Sequence, residues 1–271
     1  MMKDEELLAK RLSELSRQAF HRGIITYTDF LNLNEQSILH ALPKNSLYTE
    51  YVLFGGYDGA ERQMAAFLPD DALSLRCRYG AEQEREGGMP PEVELFSDRI
   101  AVLEISPLHA KYADELTHRD YLGALMNLGV ERGKMGDILM DGSKALVFLD
   151  AKLKAFVMEE PTRIRRTSVQ TAEVDFQDFS YTPNVQEIKG TVSSVRLDAL
   201  LALAFSSSRN RLTGLIGAGK VFVNGRLTTS NGCHIREQDI ISVRGMGKFR
   251  FAGQLSVTKK NRICVLIHKY I

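Results

Sequence analysis

The chain has 271 residues, of which 44% are hydrophobic, and its 35 lysines and arginines almost balance its 34 acidic residues. This length exceeds one average domain and predicts a multidomain globular protein with two or three modest cores. No stretch of the sequence approaches the roughly 20 apolar residues of a membrane span. The start, MMKDEELLAKRLSEL, has acids and no apolar signal core. We therefore expect a cytoplasmic protein without membrane partners.

The charge is divided unevenly along the chain. Residues 189–271 contain 14 basic and three acidic residues, a net charge of +11, so that the preceding residues carry −10. A basic terminal third on an acidic body predicts that one end of the protein binds a polyanion. Nucleic acid is favoured over the alternative of an ordinary solvated basic surface.

The three cysteines, Cys77, Cys233 and Cys264, are far apart and form no C-x-x-C pair. This spacing predicts neither a disulfide framework nor a zinc site. We expect buried or inert thiols, no bound metal and no cofactor.

Residues 1–88 are predicted to form an N-terminal α/β domain. Leu8, Leu12, Leu15 and Ala19 recur at helical spacing, and NEQSILHALP indicates a second helix. EYVLFGGYDGAERQMAAFLP reads as strand, glycine turn and strand, and ALSLRCRYG as one more strand. The glycines of GGYDGAER follow a strand, but no helix start with a third spaced glycine follows them. A hairpin turn is therefore favoured over a phosphate loop.

Residues 89–181 are predicted to form an RRM-like α/β plait. The strands are SDRIAVLEIS, GDILM, KALVFLD and TRIRRTSVQT, and the helices are THRDYLGALMNLG and DAKLKAFVMEE. This β-α-β-β-α-β order places two helices on one face of a four-stranded antiparallel sheet. RNA-recognition folds stack bases on the other face, but their aromatic signature strand is missing here. The plait alone is therefore a weak indication of RNA binding.

The first helix of this plait begins with a cap. Thr117 can cap it with Asp120 as the reciprocal acceptor, and Gly129 ends it. His118 and Arg119 are then exposed at the helix start, where backbone N–H groups and an arginine could share a phosphate. We predict a second RNA contact at this pair, with a plain surface pair as the alternative. His109 is too far away in spacing to form a metal-ligand pair with His118.

Residues 182–271 form the third predicted domain, so the fold class expected for the chain is α+β with three small domains. Its helices are predicted over 197–205 and 209–216, followed by the strand KVFVNG, an Asn224-Gly225 turn and the strand DIISVRG. The stretch TGLIGAGKVFVNG nearly matches a nucleotide-binding loop. However, a phosphate loop requires the order strand, loop, helix, whereas these glycines follow a helix and precede a strand. Val221 also stands where a serine or threonine must hold magnesium, which argues against an NTPase.

The same stretch resembles the small RNA-binding S4 domain first described in ribosomal protein S4. The matching residues keep their order and spacing over about thirty residues: Arg196-Leu197-Asp198, Ser208-Arg209, Leu215-Ile216, Gly219-Lys220-Val221 and Val223-Asn224-Gly225. The chain departs from the family pattern at Asn210 and Leu212. In that family, two helices and the turn before the strand form a compact basic surface for structured RNA.

We predict eight RNA-binding residues in this domain. Guanidinium groups suit bidentate phosphate contacts, lysine acts as a point charge, and Ser208 can cap the second helix and leave it open to an anion. Asp198 is predicted to cap a helix or orient an arginine, because a free carboxylate would repel phosphate. The eight residues are Arg196, Ser208, Arg209, Arg211, Lys220, Asn224, Arg244 and Lys248.

The resemblance extends over the whole chain. FGGYDGAER, LTHRDYLGALMNLG with GDI, and SVRGMGKF are similar to strings of the YlmH family of bacterial S4-domain proteins. This resemblance implies a non-enzymatic, ribosome-associated protein that binds large-subunit rRNA and tRNA in the quality control of stalled chains. It is also compatible with protein partners on the ribosome.

Two other classes compete with this interpretation. An RNA-modifying or tRNA-directed enzyme could use the S4 domain as a targeting handle, but its catalytic motifs are not matched, and we assign no catalytic residue. A protein-interaction adaptor could dock its partners on the acidic surface of the first two domains.

Overall fold

The structure, a computed structural model, describes residues 3–69, 91–175, 179 and 184–270, without the side chains of Lys3, Pro91, Glu92 and Arg209. The chain divides into two compact units, residues 1–180 and 181–271. The strand predicted in ALSLRCRYG, Cys77 and the predicted boundary near residue 88 lie outside the described residues. The separation of residues 1–88 from residues 89–181 therefore stays a prediction.

The first unit mixes helices with two antiparallel sheets. Its described helices are α1 (Lys3–Arg22), α2 (Leu33–Ala41), α3 (Pro91–Phe96), α4 (His118–Asn127) and α5 (Lys154–Glu159). Its described strands are β1 (Thr26–Tyr27), β2 (Glu50–Phe54), β3 (Met64–Leu68), β4 (Ile100–Pro107), β5 (Met135–Asp141), β6 (Lys144–Asp150), β7 (Arg163–Ile164) and β8 (Thr167–Val174). The described helices include none that is long and apolar enough to cross a membrane.

The N-terminal elements form a small layered core. Leu12 and Ala19 of α1 are fully buried against the sheet β1-β3-β2, as the helical spacing predicts. Strands β2 and β3 pair in antiparallel register, with Phe54 opposite Met64. The glycine-rich stretch between them is therefore the connection of a hairpin, which confirms the turn prediction.

The second sheet has the strand order β5-β6-β4-β8-β7, and every neighbouring pair is antiparallel. Leu103 and Val147 point to the same face, where they pack with Tyr121 of α4 and Val157 of α5. Because side chains alternate along a strand, both helices cover this face and the neighbouring residues point to the other one.

One strand predicted in this region is in fact two. TRIRRTSVQT was expected to be continuous, but β7 and β8 fold back on each other with Ile164 opposite Thr167. The two central residues turn the chain, and Arg165 takes a φ of 51° there. Burial of Ile164 and Thr167 on the same side stabilises this hairpin. Strand β8 then continues to Val174, beyond the end of the predicted strand TRIRRTSVQT.

Helix α4 buries one narrow stripe. Tyr121 and Leu125 are buried, whereas Met126 is 48% exposed. Residues four apart lie on the same side of a helix, so the buried stripe runs through Tyr121 and Leu125. The hydroxyl of Tyr121 is satisfied by the Ser143 carbonyl oxygen at 2.9 Å.

The described residues of the second unit form one six-stranded sheet and two helices. The helices are α6 (Leu197–Phe205) and α7 (Arg209–Gly217), close to their predicted bounds. The strands are β9 (Val185–Val192), β10 (Val221–Val223), β11 (Arg226–Leu227), β12 (Ile240–Val243), β13 (Gly247–Val257) and β14 (Ile263–Tyr270), in the order β11-β10-β12-β13-β14-β9. Leu200, Leu212, Phe249 and Ile267 share the buried core between the helices and one face of the sheet.

Candidate nucleic-acid interface

The start of α7 combines a helix cap with two arginines. Ser208 is the N-cap residue, and its hydroxyl accepts a long hydrogen bond of 3.5 Å from the Arg211 N–H. The first turn has no acidic residue, although Arg209 and Arg211 lie in it. A cation at this positive end of the helix dipole costs roughly 0.3–1 kcal/mol. An anion bound there would remove that cost and use the free N–H groups.

Lys220 and Arg244 come together at the other end of α7. The Lys220 N–H donates to the Leu215 carbonyl oxygen at 3.0 Å, and the Arg244 N–H donates to the Lys220 carbonyl oxygen at 2.9 Å. Both residues are exposed. The nine residues of α7 span about 13 Å. Arg209 and Arg211 therefore lie at one end of this helix, and Lys220 and Arg244 lie beyond its other end.

The glycines between α7 and β10 serve a turn. The helix ends at Gly217 and the strand begins at Val221, and Gly219 takes a φ of 67°, which favours glycine. The observed order is helix, turn, strand, as predicted.

Asn224 is tied into the fold. Its Nδ2 donates to Asp239 Oδ1 at 2.8 Å, and its Oδ1 accepts from the Ile240 N–H at 2.9 Å. Asn224 and Gly225 have φ values of 48° and 74°, as the predicted tight hairpin turn requires. A contact between Asn224 and RNA stays a prediction.

Arg196 lies at the N-cap position of α6 and is paired with an acid. Its Nε is 3.4 Å from Asp198 Oδ1, and the side chain passes beside Gly232. Asp198 thus orients an arginine, one of its two predicted roles. The Arg196 side chain is still 49% exposed.

Lys248 lies on a different face from the α7 residues. It precedes Phe249, whose ring packs into the core under the helices, so Lys248 points away from them. Its ammonium group lies 5.0 Å from the centre of the Tyr270 ring. The structure brings Lys220 and Arg244 together and places Arg209 and Arg211 at the start of α7. These four residues are called the α7 surface below, and Lys248 is not part of it.

In the first unit, His118 and Arg119 begin α4 and are both exposed. Asp120 accepts hydrogen bonds from both the N–H and the hydroxyl of Thr117, at 2.8 and 2.7 Å. This confirms that Asp120 is the reciprocal acceptor of the predicted helix cap. The pKa of His118 is lowered from its usual 6.5, first by loss of hydration and then by Arg132, against an opposing effect of Asp137. This shift favours the neutral imidazole, so His118 adds less positive charge for a phosphate than an ordinary histidine would.

This lowered pKa predicts a pH-dependent stability. The unfolded chain takes up a proton at His118 near pH 6.5, whereas the folded protein takes it up only at lower pH. The free energy of unfolding should therefore fall as the pH falls from 7.5 through 6.5 toward the folded pKa. Urea unfolding at several pH values should show a flatter profile for His118→Gln. An NMR titration midpoint of His118 at or above 6.5 would contradict this prediction.

A charged junction lies next to this helix start. Asp137 accepts hydrogen bonds from the Tyr57 hydroxyl at 2.8 Å, the Glu61 N–H at 2.7 Å and the Arg62 N–H at 3.2 Å. Arg62 in turn donates to the carbonyl oxygens of Met135, Phe30 and Arg132, at 2.8, 2.9 and 3.0 Å. The strings FGGYDGAER and GDI are therefore joined at one point of the fold.

Arg132 belongs to the same junction. It donates to the carbonyl oxygens of Met135 and Gly136, at 2.9 and 3.0 Å, so Arg62 and Arg132 share one acceptor. Burial, with the nearby charge of Arg62, lowers the pKa of Arg132 to about 10, although Asp137 opposes this effect. Sequence reasoning missed these residues as a group. The only signal for them was the pair of motif strings, which are about 75 residues apart.

In the described part of the chain, no group of three or more histidine, cysteine or acidic side chains could hold a metal ion. Cys233 and Cys264 carry free thiols and are partly exposed. Of the two predicted alternatives, buried or inert, neither of these two thiols is buried.

Comparison with known proteins adds two family matches. Residues 91–178 match a family described as "Putative RNA-binding domain in YlmH", and residues 195–241 match the S4 domain. The chain is 29% identical over 264 residues to the ribosome-associated protein quality control protein P2 of Bacillus subtilis (strain 168), covering 96% of this chain and 93% of that protein. A solved structure, the cell division protein ylmH from Streptococcus pneumoniae, is 21% identical with a TM-score of 0.47, covering 66% of this chain and 95% of that one.

Proposed function

Because the chain belongs to the YlmH family of S4-domain RNA-binding proteins, we propose that it binds large-subunit rRNA and tRNA during ribosome-associated quality control of stalled nascent chains. The observation that carries this proposal is the start of α7. There, Ser208 caps the helix, the first turn has no acid, and arginines stand where the helix dipole favours an anion.

We also propose the three-domain layout: residues 1–88, a plait over residues 89–181, and an S4-type domain over residues 182–271. The strand order β5-β6-β4-β8, with both helices on one face, supports the plait. The S4 match at residues 195–241 supports the third domain.

The proposed role is non-enzymatic and cytoplasmic. The matched families bind RNA, and the residues at the α7 surface supply positive charge and N–H donors but no general base that could activate the Ser208 hydroxyl. The Bacillus subtilis relative is named for ribosome-associated quality control, which makes the ribosome the first partner to test.

Replacing Arg211 and Lys220 together by alanine should weaken binding to purified large subunits about tenfold near 150 mM salt. Loss of two phosphate contacts should also reduce the slope of log affinity against log salt by about 1.4–1.8. Both side chains are exposed, so the unfolding transition should not move toward lower denaturant. Co-sedimentation over a salt series measures the affinity and the slope.

The matched control is Lys259→Ala with Lys260→Ala, which removes the same charge from exposed residues of the β13–β14 connection. Equal weakening by both double variants would mean that net charge alone drives binding, and it would sink the assignment to α7.

The RNA partners are tested by crosslinking in cells. Ultraviolet crosslinking of the full chain should recover large-subunit rRNA together with tRNA. Recovery of mRNA alone would contradict the proposed role.

A further inference from the structure

The sheet face opposite α4 and α5 is occupied by protein at β5 and β6. Phe148 of β6 points to this face and is fully buried. The ring of Tyr57 packs against it at a tilt of 37° with 5.2 Å between centroids, and Gly56 lies directly against the Phe148 ring. Phe30 approaches the neighbouring β5 at Gly136. Bases therefore cannot stack on this part of the sheet as they do on an open RNA-recognition sheet.

A groove on the helical side of the same unit is open instead. It lies between α4 and the β7–β8 hairpin and has a volume of about 510 Å³. Gly123, which has no side chain, and the small side chain of Ala124 leave room in it. The charged and amide side chains that line it belong to Arg119, Asp120, Asn127, Glu160, Arg163 and Arg165.

The charge of this groove is opposite to that of its surroundings. Residues 91–178 contain 16 acidic and 11 basic residues, yet three arginines converge here. Arg165 Nε lies 2.7 Å from Asp120 Oδ1, so the charge of that carboxylate is already neutralised. Arg119 and Arg163 are exposed and form no ion pair with any residue that the structure describes. Glu160 is the remaining carboxylate of the lining.

Two features hold the third arginine in place. Arg165 takes a φ of 51° in the two-residue turn, a conformation that costs free energy for a residue with a side chain. The ion pair with Asp120 and the buried pair Ile164 and Thr167 beside the turn stabilise it. The wall of the groove is thus set by the fold rather than by a free loop.

We propose that this groove binds the phosphate backbone of an RNA strand, as a second contact beside the α7 surface. The inference rests on the proposed function and names a site for it in the first unit. Guanidinium forks match the paired oxygens of a phosphate, and every basic residue of the lining is an arginine. The Asn127 amide, on the same wall as Arg119, can hydrogen-bond a base edge. Both walls lie within the segment that matches an RNA-binding family.

The test is the double variant Arg119→Ala with Arg163→Ala in the full chain. We expect about tenfold weaker binding to bulk tRNA or to large-subunit rRNA near 150 mM salt, and a salt slope reduced by about 1.4. The control, Lys111→Ala with Lys152→Ala, removes the same charge from exposed residues outside the groove and should change affinity little. Lysine at positions 119 and 163 should restore part of the affinity. Unfolding curves of all variants establish that they are folded.

Three outcomes separate the proposals. If the Arg211 and Lys220 variant loses RNA binding while the groove variant keeps it, the groove inference is overturned and the proposed function stands. If neither variant loses RNA binding, the proposed function fails as well. If the groove variant binds purified RNA normally but no longer joins large subunits, the groove docks a ribosomal protein and the RNA assignment is wrong.

Discussion

Replacing Asp137 by alanine is expected to lower the free energy of unfolding of the first unit by about 3 kcal/mol. The carboxylate accepts three hydrogen bonds, two of them from backbone N–H groups, and its negative charge favours the charged forms of both Arg62 and Arg132. Removing it leaves donors without an acceptor and takes away a negative charge that compensates two half-buried guanidinium groups. Asp137→Asn should lose most of the same stability, because its amide N–H groups would face donors.

Urea unfolding followed by far-UV circular dichroism measures this effect, since the chain has no tryptophan. Glu131→Ala is the matched control, because Glu131 is exposed, belongs to the neighbouring turn and makes no capping hydrogen bond. It should change the free energy of unfolding by less than about 0.5 kcal/mol. A loss below 1 kcal/mol for Asp137→Ala would show that the junction contributes little.

Gly56→Ala is expected to destabilise the same unit by about 3 kcal/mol for two independent reasons. Gly56 has a φ of 100°, which residues with a side chain rarely adopt. A Cβ there would overlap the Phe148 ring, with only 2.5 Å to Cε1. Phe148 is fully buried, so the ring cannot move aside without a cost of its own.

The control for this variant is Gly123→Ala, inside α4. A Cβ at that position meets nothing within 4 Å, and alanine favours helix over glycine by about 1 kcal/mol. The two glycine-to-alanine changes should therefore have opposite signs in the same denaturation experiment. If Gly56→Ala were neutral, the close packing of the glycine stretch on β6 would be wrong.

Much of the second unit could be predicted because its signals are local. The bounds of α6 and α7 and the Asn224-Gly225 turn each depend on residues within one turn of chain. Mixed α+β structure and the S4 domain are confirmed. Strands β9, β13 and β14 were not predicted. Strands β13 and β14 form a local hairpin, but β9 pairs with β14 across a long separation, as Val185 with Tyr270 shows, and no short motif encodes such a partner.

The first unit shows the same limit at its charged junction. Asp137 looks like an ordinary strand aspartate, and only the fold reveals that its three donors come from residues 57 to 62. The convergence of the groove arginines could not be predicted from the sequence for a different reason. RIRR reads as part of one strand, and the turn at Arg165 changes where those side chains point.

The pairing of β9 with β14 has a practical consequence for anyone who wishes to isolate the RNA-binding end. Eight residue pairs connect the two strands, from Val185 opposite Tyr270 to Val192 opposite Ile263. A fragment cut to the S4 match, residues 195–241, would lose β9, β13, β14 and the second half of β12, and it would leave the edge of β10 largely bare. Bare strand edges recruit other chains and cause aggregation. An expression fragment should therefore begin before residue 185 and extend to the last residues of the chain.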